Sequence, residues 1–556
     1  MITYYSKDAK QVTKDYILNL LAHPPEVITV DVETISLTER MPLGFAIAFS
    51  PDEAIYFPTY PSFTEEISLL KPCMHNSELC KVMHNIMFDL GILPMIPGLQ
   101  GLDRSNLFDT NTAARLLGRI QTDLPFLASE NGEDLGIDVT SAKSMLVGKK
   151  TMLDVDPIAL ADKCQRDARA TYALYLKYKP LIDAQYKEYF KIEMQVIPIL
   201  IDVSMRGIAI DQDARAEMEV KLDADVELYR KIIQDAGIEN PGSPQQVGYI
   251  LGKRGSFLPM TKSKRQLSTR EAQLQFLDDP LAAAILEYRG KSKLLSTYIR
   301  PIANQDRFYT EFYLDTVVGR LNSRNRNIQN IPPECRHILL PDNGCFTSGD
   351  YQREHLYILA NMSGDRDMLE ILYSPDPEKA DIHQHTANRM NVPRKLAKTL
   401  NFAVAYGATA KTISEQAKIR DVNFCGRLLD DWLRTYRGVA DWVTTVQRSS
   451  LKSNWSEPTL FGRRIAIPDE YNKWGALYTE GMQRKAVNYP VLGSDGEVIK
   501  RAILLCNSKG LGPPTMAITV HDSIDLDGDH QFPVEELENI AGFRLPFDVK
   551  KTIRWE

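Results

Sequence analysis

Residues 394–407 read RKLAKTLNFAVAYG. Arg394, Lys398, Phe402 and Tyr406 recur every four positions, so on a helix they form a slowly drifting stripe. Two cations lead the stripe and two aromatics follow. That order suits a triphosphate gripped at one end with its base stacked further along. An arginine fork binds phosphate oxygens, and a lysine acts as a point charge. An amphipathic helix with a basic end has the same pattern, so the stripe alone leaves both readings open.

Charge is unevenly spread around this segment. Residues 386–420 hold seven Lys and Arg against one acid, Glu415, and Arg320, Arg324 and Arg326 fall in the acid-free stretch 316–330. Residues 1–100 reverse the balance, with six basic residues against twelve acidic ones. The net charge of -7 therefore hides a separation that suits metals in one region and phosphates in another. Solvated charged faces fit these counts as well.

The 556 residues suggest three to five compact units, or fewer large ones. With 44% hydrophobic and 25% charged residues, disordered, collagen-like and coiled-coil classes are excluded. No apolar run approaches the ~18 residues of a membrane-spanning helix. The opening MITYYSKDAK reads as neither a secretory signal nor a transit peptide. Seven scattered cysteines point to a reduced, cytoplasmic chain without a disulfide framework.

Along the chain, 26–50 read as two strands, EVITVDVETI and LGFAIAFS, split by a polar turn. Apolar spacing predicts helices over 79–93, 105–118 and 157–193. Residues 1–185 thus form a mixed α/β domain. In NPGSPQQV (240–247), Ser243 is placed to cap a helix whose first position is Pro244. A helix-rich block spans about 380–450, and strands return near 515–527. There is no internal repeat and no low-complexity segment.

Asp31 and Glu33 lie in VITVDVETI, and at strand spacing i, i+2 they share a side of the sheet. Two carboxylates forced together repel unless a cation such as Mg²⁺ lies between them. HNIMFDLGIL adds Asn85 and Asp89, and CQRDARATYAL adds Asp167. With Phe88 and the intervening FDTNTAARLL, these segments resemble the DEDD proofreading 3′–5′ exonucleases over roughly 27–176. The resemblance implies four carboxylates (Asp31, Glu33, Asp89 and Asp167) holding two metals that activate water at a single-stranded 3′ end. That family usually carries Tyr or His four residues before the last aspartate. Here the residue is Lys163, which implies weaker digestion.

The order Arg-x3-Lys-x3-Phe-x3-Tyr-Gly resembles the fingers helix of family A, DNA polymerase I-like, DNA polymerases. Further segments agree in order: EYRGKSKLLSTYI (287–299), VGRLNSRNRNIQNIP (318–332), GDYQREHLYILANMSGD (349–365), DIHQHTANRM (381–390), QRKAVNYPVLG (483–493) and TVHDSIDLD (519–527). The match covers about 190–556. It implies a multidomain α/β and α+β chain, with an RNase H-like exonuclease domain at 1–185 and a right-hand polymerase domain at 186–556. Within the latter the thumb takes about 190–305, the palm about 306–370 and 500–556, and the fingers about 371–499.

The resemblance also assigns residues. Asp350 and Asp522, with the Tyr351 carbonyl, would hold two Mg²⁺ ions, for which Mn²⁺ could substitute. Arg394, Lys398 and His383 would meet the phosphates of an incoming dNTP. Phe402 and Tyr406 would line its sugar and base, while Arg320, Asn330, Arg484, Asn488 and His521 would touch primer-template DNA. Three positions depart from the family. His355 stands where an ungapped reading expects the sugar-screening glutamate, with Glu354 next to it as the alternative. Ser523 and Leu492 replace a usual glutamate and a frequent glutamine.

A single-subunit RNA polymerase shares the palm and fingers logic and fits His521-Asp522-Ser523, but not the exonuclease motifs or the QNIP loop. A DNA-binding scaffold with dead sites would keep basic stripes without needing all six acids. Primer extension with and without Mg²⁺ separates these classes. Cys73, His75, Cys80 and His84 have no zinc-finger spacing and are read as structural. The start of the chain close to the exonuclease motif suggests a compact, phage-type replicative form, in a bacterial or phage-infected host cytosol. A processivity factor or other replisome partner is possible but not named by the sequence, and no membrane is implied.

Overall fold

The structure, a computed structural model, describes residues 7–37, 39–59, 63–130, 137–261, 266–471 and 474–556. The first six residues of MITYYSKDAK lie outside these. The chain forms two compact units. One is Met1–Ile201 with Phe312–Gly319 and Arg463–Ala466; the other is Asp202–Glu311, Arg320–Gly462 and Ile467–Glu556.

In the first unit the two strands expected over 26–50 are β1 (Val27–Thr34) and β2 (Pro42–Ala48), paired antiparallel. β3 (Ala54–Pro58) extends that side. β4 (Cys80–Met83) runs parallel to β1, and β5 (Leu107–Asp109) parallel to β4, giving the order β3-β2-β1-β4-β5. This is the mixed sheet expected of an RNase H-like domain. The helices predicted over 79–93 and 105–118 are each a strand followed by a shorter helix, Ile86–Ile92 and Thr110–Leu116. The physical reason is that a short, fully buried strand has no alternation to distinguish it from a helix segment.

Asp156 caps the long helix Pro157–Gln185, which has proline at its first position. The predicted stretch 157–193 is two helices, the second being Lys187–Arg206. Ala161, Cys164 and Ala168 of the first helix pack on Ala46 and Ala48 of β2. Thr29 on β1 donates its hydroxyl to the Ala168 carbonyl at 2.7 Å. Small side chains on both surfaces bring the helix close to the sheet, which sets Lys163 and Asp167 over β1.

In the second unit Ser243 caps the helix Pro244–Lys253, as expected. Five helices fill the 380–450 block: Ile382–Met390, Arg394–Ala405, Ala410–Ala417, Val422–Thr435 and Arg437–Ser453. A long helix, Thr479–Cys506, follows. The four-stranded sheet of this unit has β6 (Phe346–Tyr351) inside it, paired antiparallel with β8 (Ser523–Asp527) and β9 (Phe547–Thr552); β7 (Met516–Val520) pairs with β8. Gly349, just before Asp350, is required by packing. A Cβ there would lie 2.3 Å from the Phe547 ring. Among the described residues no helix is long and apolar enough to cross a membrane. All seven cysteines are free thiols.

Candidate active sites

β1 pairs with β4 only from Val27 to Thr29. Beyond that point its edge is open, and the Val32 N–H donates to Asp89 Oδ1 at 3.2 Å. Asp89 belongs to the helix Ile86–Ile92, entered through Asn85 with φ of 67°. Asparagine tolerates this left-handed backbone better than most residues. Asp109 Oδ1 accepts the Asn85 N–H at 2.8 Å, and Asp109 Oδ2 accepts the Thr112 N–H at 3.1 Å. Asp109 therefore fixes the entry to both helices, a role its place in FDTNTAARLL did not reveal. The Arg40 guanidinium lies 5.0 Å over the Phe88 ring.

This framework gathers all four expected acids. Donor atoms of Asp31, Glu33 and Cys164 lie within 4.8 Å of one another. Lys163 reaches into the group, with Nζ 2.5 Å from Glu33 Oε1 and 2.7 Å from Asp167 Oδ2. Burial, then the charge of Asp167, pushes the Asp31 carboxyl well above the usual range. Burial and Asp31 do the same to Asp89. Burial lifts Asp167 to about 6 although Lys163 pulls it down. Burial pulls Lys163 down, but Glu33, Asp167 and Asp31 hold its ammonium well above the usual lysine range. Asp31 Oδ2 and Asp167 Oδ1 are buried without a hydrogen-bond partner. Crowded, unsatisfied carboxylate oxygens of this kind fit a hard divalent cation.

The Cys73, His75, Cys80 and His84 set gathers no metal cluster among the described residues. His84 is committed to the Thr110 hydroxyl and the Thr122 carbonyl, both at 2.9 Å. His75 Nε2 lies 3.1 Å from the Gln100 carbonyl oxygen.

The second site lies in the other unit, at the end of β6. Val520 pairs with Ser523, so His521 and Asp522 form a two-residue hairpin turn, and His521 has φ of 55°. The Ser523 hydroxyl donates to the Val520 carbonyl at 2.9 Å and closes this turn. The Tyr351 N–H donates to the Asp522 carbonyl at 3.2 Å, tying the turn to the end of β6. Burial, reinforced by Asp525, raises the Asp350 carboxyl to about 6. Burial and the charge of Asp350 raise Asp522 to about 7. Two adjacent acids that resist ionising together are chemically suited to shared cations.

The helix Arg394–Ala405 buries Ala397, Leu400, Asn401 and Val404 and leaves the four-residue stripe on its other side. Arg394 pairs with Asp381 at 2.8 Å, and Lys398 is exposed. Asn401 Nδ2 donates to His383 Nδ1 at 2.9 Å, while Asn401 Oδ1 accepts the Trp432 indole N–H at 2.7 Å. Burial lowers His383 to about 4, so its ring is neutral with the proton on Nε2. The His383 and Phe402 rings are 5.6 Å apart. Tyr406 ends the helix, and Gly407 follows with φ of 64°, where a Cβ would lie 2.8 Å from the Arg484 carbonyl oxygen.

His355 sits in the first turn of the helix Glu354–Ser363, beside Tyr406. Their rings are 5.2 Å apart, with His355 Nδ1 3.4 Å from the Tyr406 hydroxyl. Arg320 Nη2 donates to His355 Nε2 at 2.5 Å, and its Nε pairs with Asp495. Burial lowers His355 to about 4, so the ring is neutral and can accept from Arg320. Glu354 faces elsewhere. It is fully buried, and burial and the charge of Asp495 raise its carboxyl well above the usual range. Burial acts to raise the Asp495 carboxyl, but Arg320, together with its other neighbours, holds it below the usual range. The ungapped register thus puts His355, and not Glu354, against Tyr406.

Asp495 is the residue that motif reading missed. Its signal is an acid inside PVLGSDGEVIK, where Pro490, Val491, Gly493, Ser494, Gly496 and Val498 are all buried. Arg484 is exposed on the same helix, four residues before Asn488, whose Oδ1 is buried without a partner. Leu492 follows one turn later. His521 is exposed on its turn. Asn330 is exposed, and its carbonyl accepts the Tyr298 hydroxyl proton at 2.9 Å. Asn330 lines a separate groove with Lys291 and Lys293 and does not join the Arg320 network.

Comparison with known proteins agrees with this geometry. The family model described as DNA polymerase family A matches residues 212–542, and one described as 3′–5′ exonuclease matches 5–183. DNA polymerase I of Chloroflexus aurantiacus is 27% identical over 561 residues, covering 92% of this chain and 57% of that protein. DNA polymerase I of Pseudomonas aeruginosa is 26% identical, covering 90% of this chain and 59% of that one. The chain thus spans less than three-fifths of the length of these two relatives. A solved structure titled as the POL domain of Pol1 from M. smegmatis, in complex with DNA primer-template and dNTP, shares the fold at a TM-score of 0.76. It is 20% identical, and the alignment covers 98% of both chains. With its model matched over more than half the sequence, the chain belongs to DNA polymerase family A, with a 3′–5′ exonuclease segment preceding the polymerase segment.

Proposed function

We propose that this chain is a DNA-directed DNA polymerase that extends a primer on a template from dNTPs and removes mispaired 3′ ends with its exonuclease site. The observation that carries the polymerase reading is the Asp350–Asp522 pair. Two acids on adjacent backbone segments are raised to about 6 and about 7, Asp350 by burial and Asp525, Asp522 by burial and Asp350. Asp350, Asp522 and the Tyr351 carbonyl would hold Mg²⁺, or Mn²⁺ in its place, which would supply charge neutralisation at the triphosphate and activation of the primer 3′-hydroxyl.

The protein's own residues do the positioning. Arg394, Lys398 and the Nε2–H of His383 bind the phosphates of the dNTP. Phe402 and Tyr406 cover its sugar and base, and His355 backs Tyr406 at the sugar edge. Arg484, Asn488, Arg320 and His521 meet the primer-template end, where the unpaired Asn488 Oδ1 accepts a hydrogen bond. Asn330 contacts the duplex further out, from the Lys291 and Lys293 groove. In-line phosphoryl transfer asks little more of a protein than positioning and charge compensation.

In the exonuclease site Asp31, Glu33, Asp89 and Asp167 would hold Mg²⁺ against a single-stranded 3′ end. The thumb, palm and fingers occupy about 190–305, 306–370 with 500–556, and 371–499, and the exonuclease domain 1–185. The free thiols suit a cytosolic setting. The test is extension and digestion of a labelled primer-template with matched and mismatched ends, with and without Mg²⁺. Asp350→Ala or Asp522→Ala should abolish most extension while DNA binding persists. Near-normal extension by either variant overturns the assignment.

A further inference from the structure

The Lys163 side chain lies within the acidic cluster, not at its rim. Its Nζ is 2.5 Å from Glu33 Oε1 and 2.7 Å from Asp167 Oδ2, and the side chain is only 9% exposed. Both acids belong to the set that a pair of divalent ions would share. The ammonium already occupies one oxygen of each.

What remains unsatisfied lies on the other side of the cluster. Asp31 Oδ2 and Asp167 Oδ1 are the oxygens of this cluster that are buried without a hydrogen-bond partner. Asp167 is therefore divided: one oxygen holds the ammonium and the other is open. Asp31 also forms, with Glu33 and Cys164, a donor set whose ligand atoms lie within 4.8 Å of one another.

Spacing decides how many ions fit. Paired catalytic metals stand about 3.5–4 Å apart and bridge shared carboxylates. An ion held by the open oxygens at about 2.0–2.1 Å would share Asp167 with the Lys163 ammonium, which already takes the Glu33 and Asp167 oxygens that a second ion would need. A second ion would have to displace the ammonium from Glu33 and Asp167 and leave it buried without a partner. Breaking a buried ion pair in this way is strongly unfavourable.

We propose that the exonuclease site of this protein takes one divalent cation, on Asp31 and the open oxygen of Asp167, while the Lys163 ammonium holds the second cationic position between Glu33 and Asp167. The inference rests on the exonuclease reading of this unit. It makes Lys163 a built-in counter-charge that chelation cannot remove.

The test counts bound Mn²⁺ by electron paramagnetic resonance on the full chain. The Asp350→Asn, Asp522→Asn background silences the palm acids. A single-stranded oligonucleotide with a 3′-terminal phosphorothioate fills the site. One Mn²⁺ is expected with Lys163 present and two with Lys163→Met, which keeps the length and removes the charge. Two Mn²⁺ with Lys163 present, or one with Lys163→Met, overturns the proposal. The count on the chain that retains Lys163 needs no change at that position, so a misfolded Met variant leaves the proposal falsifiable. Lys163→Tyr, checked by its thermal transition, is the second variant and should also bind two. Failure of the exonuclease reading is read separately. It would appear as no Mn²⁺-dependent digestion of an unmodified 3′ single strand by the unaltered chain.

Discussion

Asp495→Asn is the most informative substitution in the polymerase unit. The carboxylate is 1% exposed, and its partner Arg320 is 24% exposed. Removing the negative charge leaves a largely buried guanidinium without compensation. Such a loss typically costs about 3–5 kcal/mol, and the partial exposure of Arg320 favours the low end. A unit of roughly 340 residues unfolds with an entropy of about 0.7 kcal/mol/K, so about 3 kcal/mol lowers its Tm by about 4 °C. A purely structural role ends there. The network makes a second, separable demand. Arg320, held by Asp495, donates to His355 Nε2, and this fixes the ring with Nδ1 toward the Tyr406 hydroxyl. Once Asp495 is gone the ring loses its anchor, and the sugar edge of the pocket loosens. Burying an unpaired 2′-hydroxyl costs about 1–3 kcal/mol, so the ring can supply about 5- to 150-fold discrimination against ribonucleotides. His355→Ala should raise the ribo-to-deoxy ratio of kcat/KM within that range. Asp495→Asn should raise it part of the way, and the two together no further than His355→Ala alone. The assay is single-nucleotide incorporation on one primer-template, with melting curves for each variant. A fall in Tm without a change in sugar ratio, or additive effects in the double variant, would refute the positioning argument.

Three further outcomes are expected. Asp31→Ala with Glu33→Ala should abolish 3′–5′ digestion of a labelled strand and leave extension within a few-fold, because the two sites lie in different units. Phe402→Tyr adds a phenolic hydroxyl beside the sugar and should relax discrimination against dideoxynucleotides, read as chain-termination frequency. For pH, Asp350 and Asp522 have carboxyls raised from 3.8 to about 6 and about 7 in the folded chain. Their contribution to stability is present below about pH 4 and lost as pH rises through 6 and 7. In chelator, Asp350→Asn should therefore raise the Tm at pH 8 and leave it nearly unchanged near pH 4; a larger gain at the acidic end would contradict the direction of both shifts.

What could be read from the sequence follows from how far each interaction reaches. The fingers stripe was legible because a helix repeats locally, and burial of Ala397, Leu400, Asn401 and Val404 leaves Arg394, Lys398, Phe402 and Tyr406 together on the other side. The β1 acids were legible because a strand alternates. β4 and β5 were not, since four and three buried residues have no period to show. Lys163 stood out as a departure from pattern, yet its grip on Glu33 joins positions 130 residues apart, which no local reading could supply. The Arg320–Asp495 pair spans 175 residues and was missed for the same reason.

The His355 departure rests on a chain of partners. A histidine at 355 has nitrogens that must be satisfied in a buried place, and Arg320 satisfies one of them. That arginine is buried in turn and needs a counter-charge, which Asp495 provides. Asp495 is flanked by Glu354, and two buried carboxyls can sit side by side only if one keeps its proton; Glu354 is the one held neutral. Each substitution makes sense only with the next. Reverting His355 to glutamate alone would place another acid beside Asp495 and Glu354 and would cost stability, whereas His355→Glu together with Asp495→Ala should recover part of the loss. A melting comparison of the single and double variants that showed no such recovery would separate His355 from Asp495 and break this chain of dependence.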